Sequence, residues 1–587
     1  MLPLAALLLA AAAAAAPPSH DAKIADWLAR RLDKGGDEPF IVLFTPIPLE
    51  GVKGRAVYDR LRTRAATLQA EVRRSLDEAG IPYRSLYIVN GLAVRGNRGL
   101  ARALAARAEV VRIVGDPVVR GIEGDLLAPA APDTIEWGVS RINADDVWTL
   151  DADRGEGIVV ASADTGVEWT HAAIKPAYRG WNGTAADHDY NWFDPIDGLT
   201  APIDDSGHGT HTTGTMVGDD GAGNQVGVAP KAKWIGCRNM DHGNGTPSTY
   251  IACNQFFLAP FPIGGDAEHD GDPSKAPDVV NNSWGCPPSE GCDAGALQES
   301  FAALRAAGIL AVVSAGNAGP NCSTVNDPPS IYEESFVVGA SDSSNRIAGF
   351  SSRGPVTLDG SGRLRPDVAA PGVNIRSSTP GGGYGFSSGT SMASPHVSGA
   401  VALLWSEKPQ VRGLVDISRC LLSRSASTIL TAPLNQTCGN TTATDRPNNF
   451  WGYGLVDVYA AIHLPDGDAD GIADACDCAA GVAGAFDEPG AVVGLGVSAD
   501  KTTLSWDGWS PAAGSGTVYD VVRGDLAILR ETGTIAGAGC LGAPGTAASI
   551  TDVVTPASGS GFYYVVQARN TCAAGGWSGA RSHATCP

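Results

Sequence analysis

Three short segments carry side chains that act together in nucleophilic chemistry. The first ends an apolar run: Val159-Val-Ala-Ser-Ala-Asp164-Thr-Gly166. The second, Ser206-Gly-His208-Gly-Thr-His211-Thr-Thr-Gly214, sets an imidazole among small residues that suit a helix packed closely on a sheet. In the third, Ser388-Gly-Thr-Ser391-Met-Ala-Ser-Pro395-His396, Gly389 allows a tight turn and Ser391 opens an apolar helix. The N–H groups and dipole at such a helix start favour negative charge. Taken singly, Asp164 reads as a strand-end cap and Ser391 as a helix cap. Taken together they supply a weak nucleophile, a base to take its proton and a carboxylate to hold the base. The order Asp164, His208, Ser391 is one in which that set occurs. His208 and His211 are three apart, but no Glu follows at zincin spacing, so no metal is expected there.

A second constellation is acidic. Asp466-Gly-Asp468-Ala-Asp470-Gly471-Ile-Ala-Asp474-Ala-Cys476-Asp477 places oxygens at alternating positions with a glycine at the sharp turn, which is calcium-loop chemistry. An EF-hand would need Glu at the twelfth position and flanking helices; here Asp477 stands there and no helix flanks it. The expected ligands are Asp466, Asp468, Asp470, Asp474 and Asp477, and the alternative is a solvated acidic linker. Calcium is expected as a structural ion, with no cofactor for catalysis.

The elements that must position these groups are legible as patterns. Between 40 and 114 an apolar run (Phe40–Phe44), a long charged helix (Ala56–Ala79), two short strands (Ser85–Val89 and Leu92–Arg95) turning at Asn90-Gly91, a second helix (Gly99–Ala108) and a last strand (Val110–Val114) follow the ferredoxin-like order βαββαβ. From about 135 to 464, apolar runs at Gly157–Ala163, Ala232–Cys237, Val279–Asn282, Leu310–Ala315 and Phe336–Ala340 alternate with Ala-rich helical stretches. That alternation predicts an α/β unit with a mainly parallel sheet covered on both faces. Beyond about 490, alternating segments at Thr502–Trp506, Thr517–Arg523 and Phe562–Ala568 predict a small antiparallel β-sandwich.

Composition narrows the class further. Gly 74 and Pro 38 together are well above the background share, which argues against a helical bundle. No apolar run is long enough to span a bilayer, so no membrane span is expected. The net charge of -21 argues against non-specific nucleic-acid binding. Residues 20–120 carry a net charge of +6 and the remainder -27, two parts that attract each other. Twelve cysteines, none before Cys237, lack tetrahedral zinc spacing and fit disulfides in an exported protein. The opening MLPLAALLLAAAAAAAPPSH reads as a secretory signal without a basic start. A secreted location is expected, extracellular or at the periplasm or cell surface.

With Asp164-Thr-Gly166, His208-Gly-Thr-His211 and Gly389-Thr-Ser391-Met-Ala393 in view, the chain resembles the subtilases, the subtilisin-like serine proteases, over roughly 330 residues. Glu136-Trp137-Gly138-Val139, Thr165-Gly-Val-Glu-Trp169 and Ala276-Pro-Asp-Val-Val-Asn-Asn-Ser-Trp-Gly285 resemble the bacillopeptidase F-like branch. The resemblance implies a three-layer subtilisin-like fold with Asp164, His208 and Ser391 as the catalytic set. Asn317, in Ser314-Ala315-Gly316-Asn317, is implied as the oxyanion donor. It implies substrate strands at Ser283-Trp284-Gly285, Ser314–Gly316 and the opposite edge Gly243-Asn244-Gly245, holding an extended peptide by β-augmentation. The basic N-terminal unit resembles an inhibitory propeptide, a partner in the same chain that is later cut away between Asp116 and Asp133. The acidic loop resembles a thrombospondin type 3 repeat, and the final unit resembles a fibronectin type III domain.

The domains expected are a signal (1–19), propeptide (20–120), activation linker (121–134), catalytic unit (135–464), Asp-rich linker (465–489) and sandwich (490–587). Cys286 and Cys292 flank an insertion beside the pocket strand. The pairing of Cys237, Cys253, Cys286, Cys292 and Cys322 stays open. Asp327 is expected near the primary pocket, favouring Lys or Arg in the substrate. The expected function is a secreted endopeptidase, monomeric, acting on protein or peptide substrates through an acyl-enzyme and made as a self-processing zymogen. The alternatives are a catalytically silent, calcium-braced binding protein and a transpeptidase using the same three groups.

Overall fold

The computed structural model describes residues 20–121, 135–432, 435–535, 537–575, 577 and 586. The expected signal and nearly all of the expected linker, 122–134, lie outside the described residues. Among the described residues no helix is long and apolar enough to cross a membrane.

The central unit is built on a seven-stranded sheet in the order Val368–Pro371, Phe336–Ser341, Leu310–Ser314, Val279–Asn282, Val159–Asp164, Lys233–Arg238, Trp192–Phe193. Every pairing in it is parallel. Because successive side chains on a strand face opposite ways, each strand feeds two cores. Val160, Val279, Leu310, Val312 and Val338 enter one core with the helices His208–Val217 and Thr390–Glu407. Ala161, Val280, Ala311, Val313 and Val337 enter the other with the helices Pro247–Leu258 and Gln298–Ala306. This is the expected three-layer α/β arrangement. The chain order runs outward in opposite directions from the adjacent strands Val159–Asp164 and Val279–Asn282. In open α/β sheets the carboxyl ends of strands at such a switch form the natural crevice.

The N-terminal unit has the sheet order Tyr83–Leu86, Gly91–Gly96, Glu38–Phe44, Val110–Gly115, all antiparallel. With its helices Arg55–Glu78 and Arg98–Ala105 this is the ferredoxin-like plan. The second strand stops at Leu86, three residues earlier than the run Ser85–Val89 implies, because Tyr87–Val89 coil into a 3-10 turn that buries all three side chains. The unit is seated on the central one. Ile41, Leu86 and Val114 share a core with Tyr250, Phe256 and Phe301. At the rim, Arg73 pairs with Glu268 and Arg112 with Asp293 at 2.6 Å. The buried Asp116 carboxylate accepts the Ser248 N–H at 2.8 Å and its hydroxyl at 2.7 Å, at the start of the helix Pro247–Leu258. The excess positive charge of residues 20–120 is thus spent partly on acidic groups of the central unit.

All twelve cysteines are paired: Cys237–Cys253, Cys286–Cys292, Cys322–Cys438, Cys420–Cys476, Cys478–Cys572 and Cys540–Cys586. The C-terminal unit consists of two three-stranded antiparallel sheets. They close on a shared core of Val492, Leu504, Trp506, Tyr519, Val521 and Val566.

Candidate active site

Asp164 ends its strand fully buried, so its carboxylate must find donors inside the protein. It accepts the Thr165 N–H at 2.8 Å, the Thr212 hydroxyl at 3.1 Å and His208 Nδ1 at 2.7 Å. With Nδ1 donating to that carboxylate, Nε2 is the ring nitrogen that takes up a proton. The helix His208–Val217 reaches Asp164 only because it runs at backbone contact with the strand end. A Cβ on Gly209 would lie 2.0 Å from the Gly166 carbonyl oxygen. His211, one turn along, does not join the site. Its Nε2 donates to the Ile375 and Gly385 carbonyls at 3.1 and 3.2 Å. Burial and then the neighbouring His208 push its pKa down to about 4, so it is a neutral core histidine.

Ser391 lies buried in the first turn of the helix Thr390–Glu407, which packs against the His208 helix. Its Oγ donates to the Ser283 carbonyl at 3.3 Å, while the Ser283 hydroxyl donates to the Ser391 carbonyl at 3.0 Å. Asn317 is oriented by its neighbour: its Oδ1 accepts both the Thr390 N–H and the Thr390 hydroxyl, each at 2.9 Å. With the oxygen so held, the amide Nδ2 is left as a donor beside the Gly389–Ser391 turn, 3.4 Å from where a Cβ on Gly389 would stand. Thr390 also accepts the Gly316 N–H at 3.1 Å, tying Ser314–Gly316 to the same turn.

The side chain of Trp284 is fully buried, stacked on Tyr250 with ring centroids 3.8 Å apart. Asn244–Gly245 is the middle strand of a three-stranded sheet; Met240–Asp241 lies on one side, and the side that would otherwise be its free edge is already taken. Val119–Arg120 lies antiparallel to it, and the Gly121 N–H donates to the Gly243 carbonyl at 2.6 Å. On the other side the Arg120 N–H donates to Glu290 at 2.8 Å, within the loop closed by Cys286–Cys292. Asp327 stands in the neighbouring segment, where the Pro328 carbonyl accepts the Cys286 N–H at 2.7 Å. Burial and then the charge of Glu290 raise its pKa to about 6.

Two residues of the site escape sequence reading. Asp204 is nearly buried and accepts five hydrogen bonds. They come from the Ser206, Gly207 and Thr210 N–H groups at 3.1, 2.7 and 2.8 Å and the Thr165 and Thr210 hydroxyls at 2.9 and 2.6 Å. It clamps the turn that presents His208. Arg238 has its guanidinium buried among Asp194, Asp197, Asp205 and Asp241, joining the loop before His208 to the strand beside Asn244–Gly245. Asp204 stands three residues before the helix cap Gly207, an acid close to a helix start that was readable; the carboxylates around Arg238 come from three separate places in the chain, Asp194 and Asp197 sharing one turn.

In the acidic loop, Asp466, Asp468 and Asp470 each bring an oxygen within 4.8 Å of the others. Asp466 is held by the Ala469 and Gly471 N–H groups, both at 2.9 Å, and Asp468 Oδ2 is buried without a hydrogen-bond partner. Asp474 instead accepts the Gly467 N–H at 2.7 Å, closing the loop. Asp477 groups with Cys478 and Cys572, which are joined to each other as a disulfide and offer no thiolate. Burial and the charges of Asp470, Asp468 and Asp474 raise the pKa of Asp477, so it lies within reach of the trio's field.

Residues 155–454 match the model of the subtilase family of peptidases, so the chain is a subtilase. It is 39% identical over 398 residues to bacillopeptidase F of Bacillus subtilis, covering 64% of this chain and 26% of that protein. It is also 30% identical to a subtilisin-like serine protease of Penicillium rubens over 59% of this chain and 78% of that one. Against subtilisin E of Bacillus subtilis the identity is 32%, over 55% of this chain and 76% of that protein. The chain thus spans about a quarter of the length of bacillopeptidase F.

The Asp204 cap carries a testable consequence. Replacing it with Ala strands five donors in a buried turn, and Asp204→Ala is expected to cost about 2 kcal/mol or more of stability. Urea unfolding of the variant and its parent, both in a Ser391→Ala background, measures it.

Proposed function

We propose that this chain is an exported serine endopeptidase made as a precursor whose N-terminal unit blocks its own cleft. The observation that carries the reading is the strand Val119–Gly121 lying on the edge Gly243–Gly245, where an extended substrate would add. The rest of the same unit caps the helices Pro247–Leu258 and Gln298–Ala306. A chain that already fills its cleft with its own tail is arranged for cleavage just beyond that tail. The processing bond then lies after Gly121, within 122–133. Six disulfides fit folding in an oxidising compartment.

The chemistry assigns each group a step. Ser391 Oγ attacks the substrate carbonyl carbon as His208 Nε2 takes its proton; Asp164 holds the ring and stabilises the imidazolium. The oxyanion formed is met by Asn317 Nδ2 and the Ser391 N–H, donors of the kind whose loss costs about 100- to 1,000-fold in turnover. The C–N bond breaks as His208 returns the proton to the leaving amine. Water then attacks the acyl-enzyme with His208 again as base, releasing the carboxylate product and restoring Ser391.

The acidic loop fits a structural calcium. Three carboxylates converge, and two oxygens, Asp468 Oδ2 and Asp477 Oδ2, are buried with no hydrogen-bond partner. Bound there, the ion would supply charge neutralisation, with Asp466, Asp468 and Asp470 as the inner ligands and Asp474 bracing the loop.

Intact mass of wild type and Ser391→Ala tests the main reading: only the wild type is expected to split between 122 and 133. Both remaining whole, or both being cut alike, would remove self-processing. For calcium, EDTA is expected to lower the Tm of wild type by several degrees and that of Asp466→Asn/Asp468→Asn much less; equal Tm values with and without the chelator would refute the site. Asp327 gives a pH signature. Its carboxyl is ionised only above a pKa of about 6. The ratio of kcat/KM for Arg over Leu at the primary position should therefore rise as pH increases through 6. In Asp327→Asn the ratio should be flat.

A further inference from the structure

The loop Leu49–Gly54 of the N-terminal unit does not touch the central unit alone. Gly54 N–H donates to the Ala306 carbonyl at 3.1 Å at the end of the helix Gln298–Ala306. On its other side the loop meets the C-terminal unit at backbone distance. A Cβ on Gly51 would stand 2.7 Å from the Ala491 carbonyl oxygen and 2.7 Å from Val493 Cγ1. Gly51 has φ +72, so both the conformation and the space call for glycine. Two residues on, the Lys53 ammonium lies 4.4 Å from the centre of the Trp509 ring, a cation–π contact. The three units meet around a cleft of about 760 Å³ between this loop, Arg412–Asp416, Asp487 and Pro511.

This contact is held in place from behind. Ala491 bridges to Gln567, and Asp507 N–H donates to the Val493 carbonyl at 3.0 Å, so the surface under Gly51 belongs to the folded C-terminal unit. That unit is fastened to the central one by two disulfides on either side of Asp477. Cys420–Cys476 anchors the acidic loop to the helix Val415–Arg424, and Cys478–Cys572 anchors the C-terminal unit to the loop. The acidic segment is therefore a short cross-linked joint, and Trp509 is presented at a fixed place beside the central unit.

We propose that the C-terminal unit is a clamp on the N-terminal unit, holding the loop Leu49–Gly54 after the chain has been cut so that release, rather than self-cleavage, controls when the cleft opens. The proposal rests on the reading of the N-terminal unit as a propeptide. It gives the C-terminal unit a partner within its own chain: a cationic, glycine-tipped loop docked on an aromatic ring and an apolar edge. Cleavage after Gly121 leaves every one of these contacts intact, because they lie on the body of the N-terminal unit. Opening the cleft requires breaking them together with the larger apolar seat on Tyr250, Phe256 and Phe301.

The test uses the full chain and separates two rates. Self-cleavage is followed by intact mass, and release by the fraction of N-terminal fragment that still co-elutes with the remainder on size exclusion. Labelling of Ser391 by a fluorophosphonate reports the opened cleft. Lys53→Ala should release about two- to fivefold faster. Gly51→Asn tolerates the left-handed backbone but puts a side chain into the 2.7 Å gap. Combined with Lys53→Ala it should release about tenfold faster or more. Self-cleavage should keep the wild-type rate in all of them, and Lys53→Arg, which keeps a cation over the ring, should release like wild type. Release of the double variant at the wild-type rate, from a chain that cleaves and stays blocked normally, overturns the clamp and leaves the propeptide reading standing. A wild type that yields no fragment, or whose fragment does not block labelling, overturns the propeptide reading and the clamp with it.

Discussion

The structure turns on a charge placed where water cannot reach it. Asp164 is fully buried at the end of a central strand, and a carboxylate there needs donors from nearby elements. It obtains them from its own next peptide, from Thr212 and from His208. Two of the three come from one helix, so that helix has to lie against the strand end. The Gly209 contact with the Gly166 carbonyl is the steric condition for that approach. The same demand explains why the segment from Gly207 to Gly214 is made of glycine, threonine and histidine rather than larger apolar residues: small and hydroxylated side chains fit at backbone contact and supply the donors.

Holding His208 to Asp164 fixes one end of the site; the turn before the helix fixes the other. Asp204 and Arg238 do this in different ways. Asp204 is an anion satisfied by backbone N–H groups and hydroxyls, a local cap that costs no counter-ion. Arg238 is a buried cation shared by four carboxylates, and it links that turn to Met240–Asp241, the strand paired with Asn244–Gly245. Removing Arg238 would leave Asp194 and Asp205, the two least exposed of the four, without their shared cation. The base and the edge strand are thus referred to a common point, which is what a reaction needing sub-ångström placement of peptide and imidazole requires.

Much of this was legible in the sequence, and the parts that were not have a physical reason. The central strands were readable because both faces are buried, giving near-continuous apolar runs such as Leu310–Val313 and Phe336–Ala340. Asp164, His208, Ser391 and Asn317 were readable because each sits in a short segment whose neighbours are constrained by close approach. Tyr87–Val89 looked like strand because a buried 3-10 turn has the same apolar signature. The direction of the Trp284 side chain was not readable, since period-two alternation stops where the strand ends and the ring can turn to stack on Tyr250. The partners of Cys322 and Cys420 lie 116 and 56 residues away, and no local pattern encodes such closures. Arg238 was missed for the same reason: its environment exists only after three separate segments, around Asp194–Asp197, Asp205 and Asp241, have folded together.

The charge asymmetry between the N-terminal unit and the rest gains a sharper meaning from where the pairs fall. Arg73 with Glu268 and Arg112 with Asp293 lie at the rim of an apolar seat, and Asp116 sits inside it, a buried anion bound by the start of a helix. Rim pairs are screened by salt and contribute modestly, whereas they steer encounter and set register. The apolar seat and the Asp116 cap supply most of the holding strength. Register matters most at the tail, because a strand shifted by one residue would present the opposite face of Val119–Gly121 to the edge Gly243–Gly245. The burial of Val119 against that edge and the exposure of Arg120 define a single alternation. The seat, the rim and the strand pairing therefore act on one variable: the register in which Val119–Gly121 lies on Gly243–Gly245.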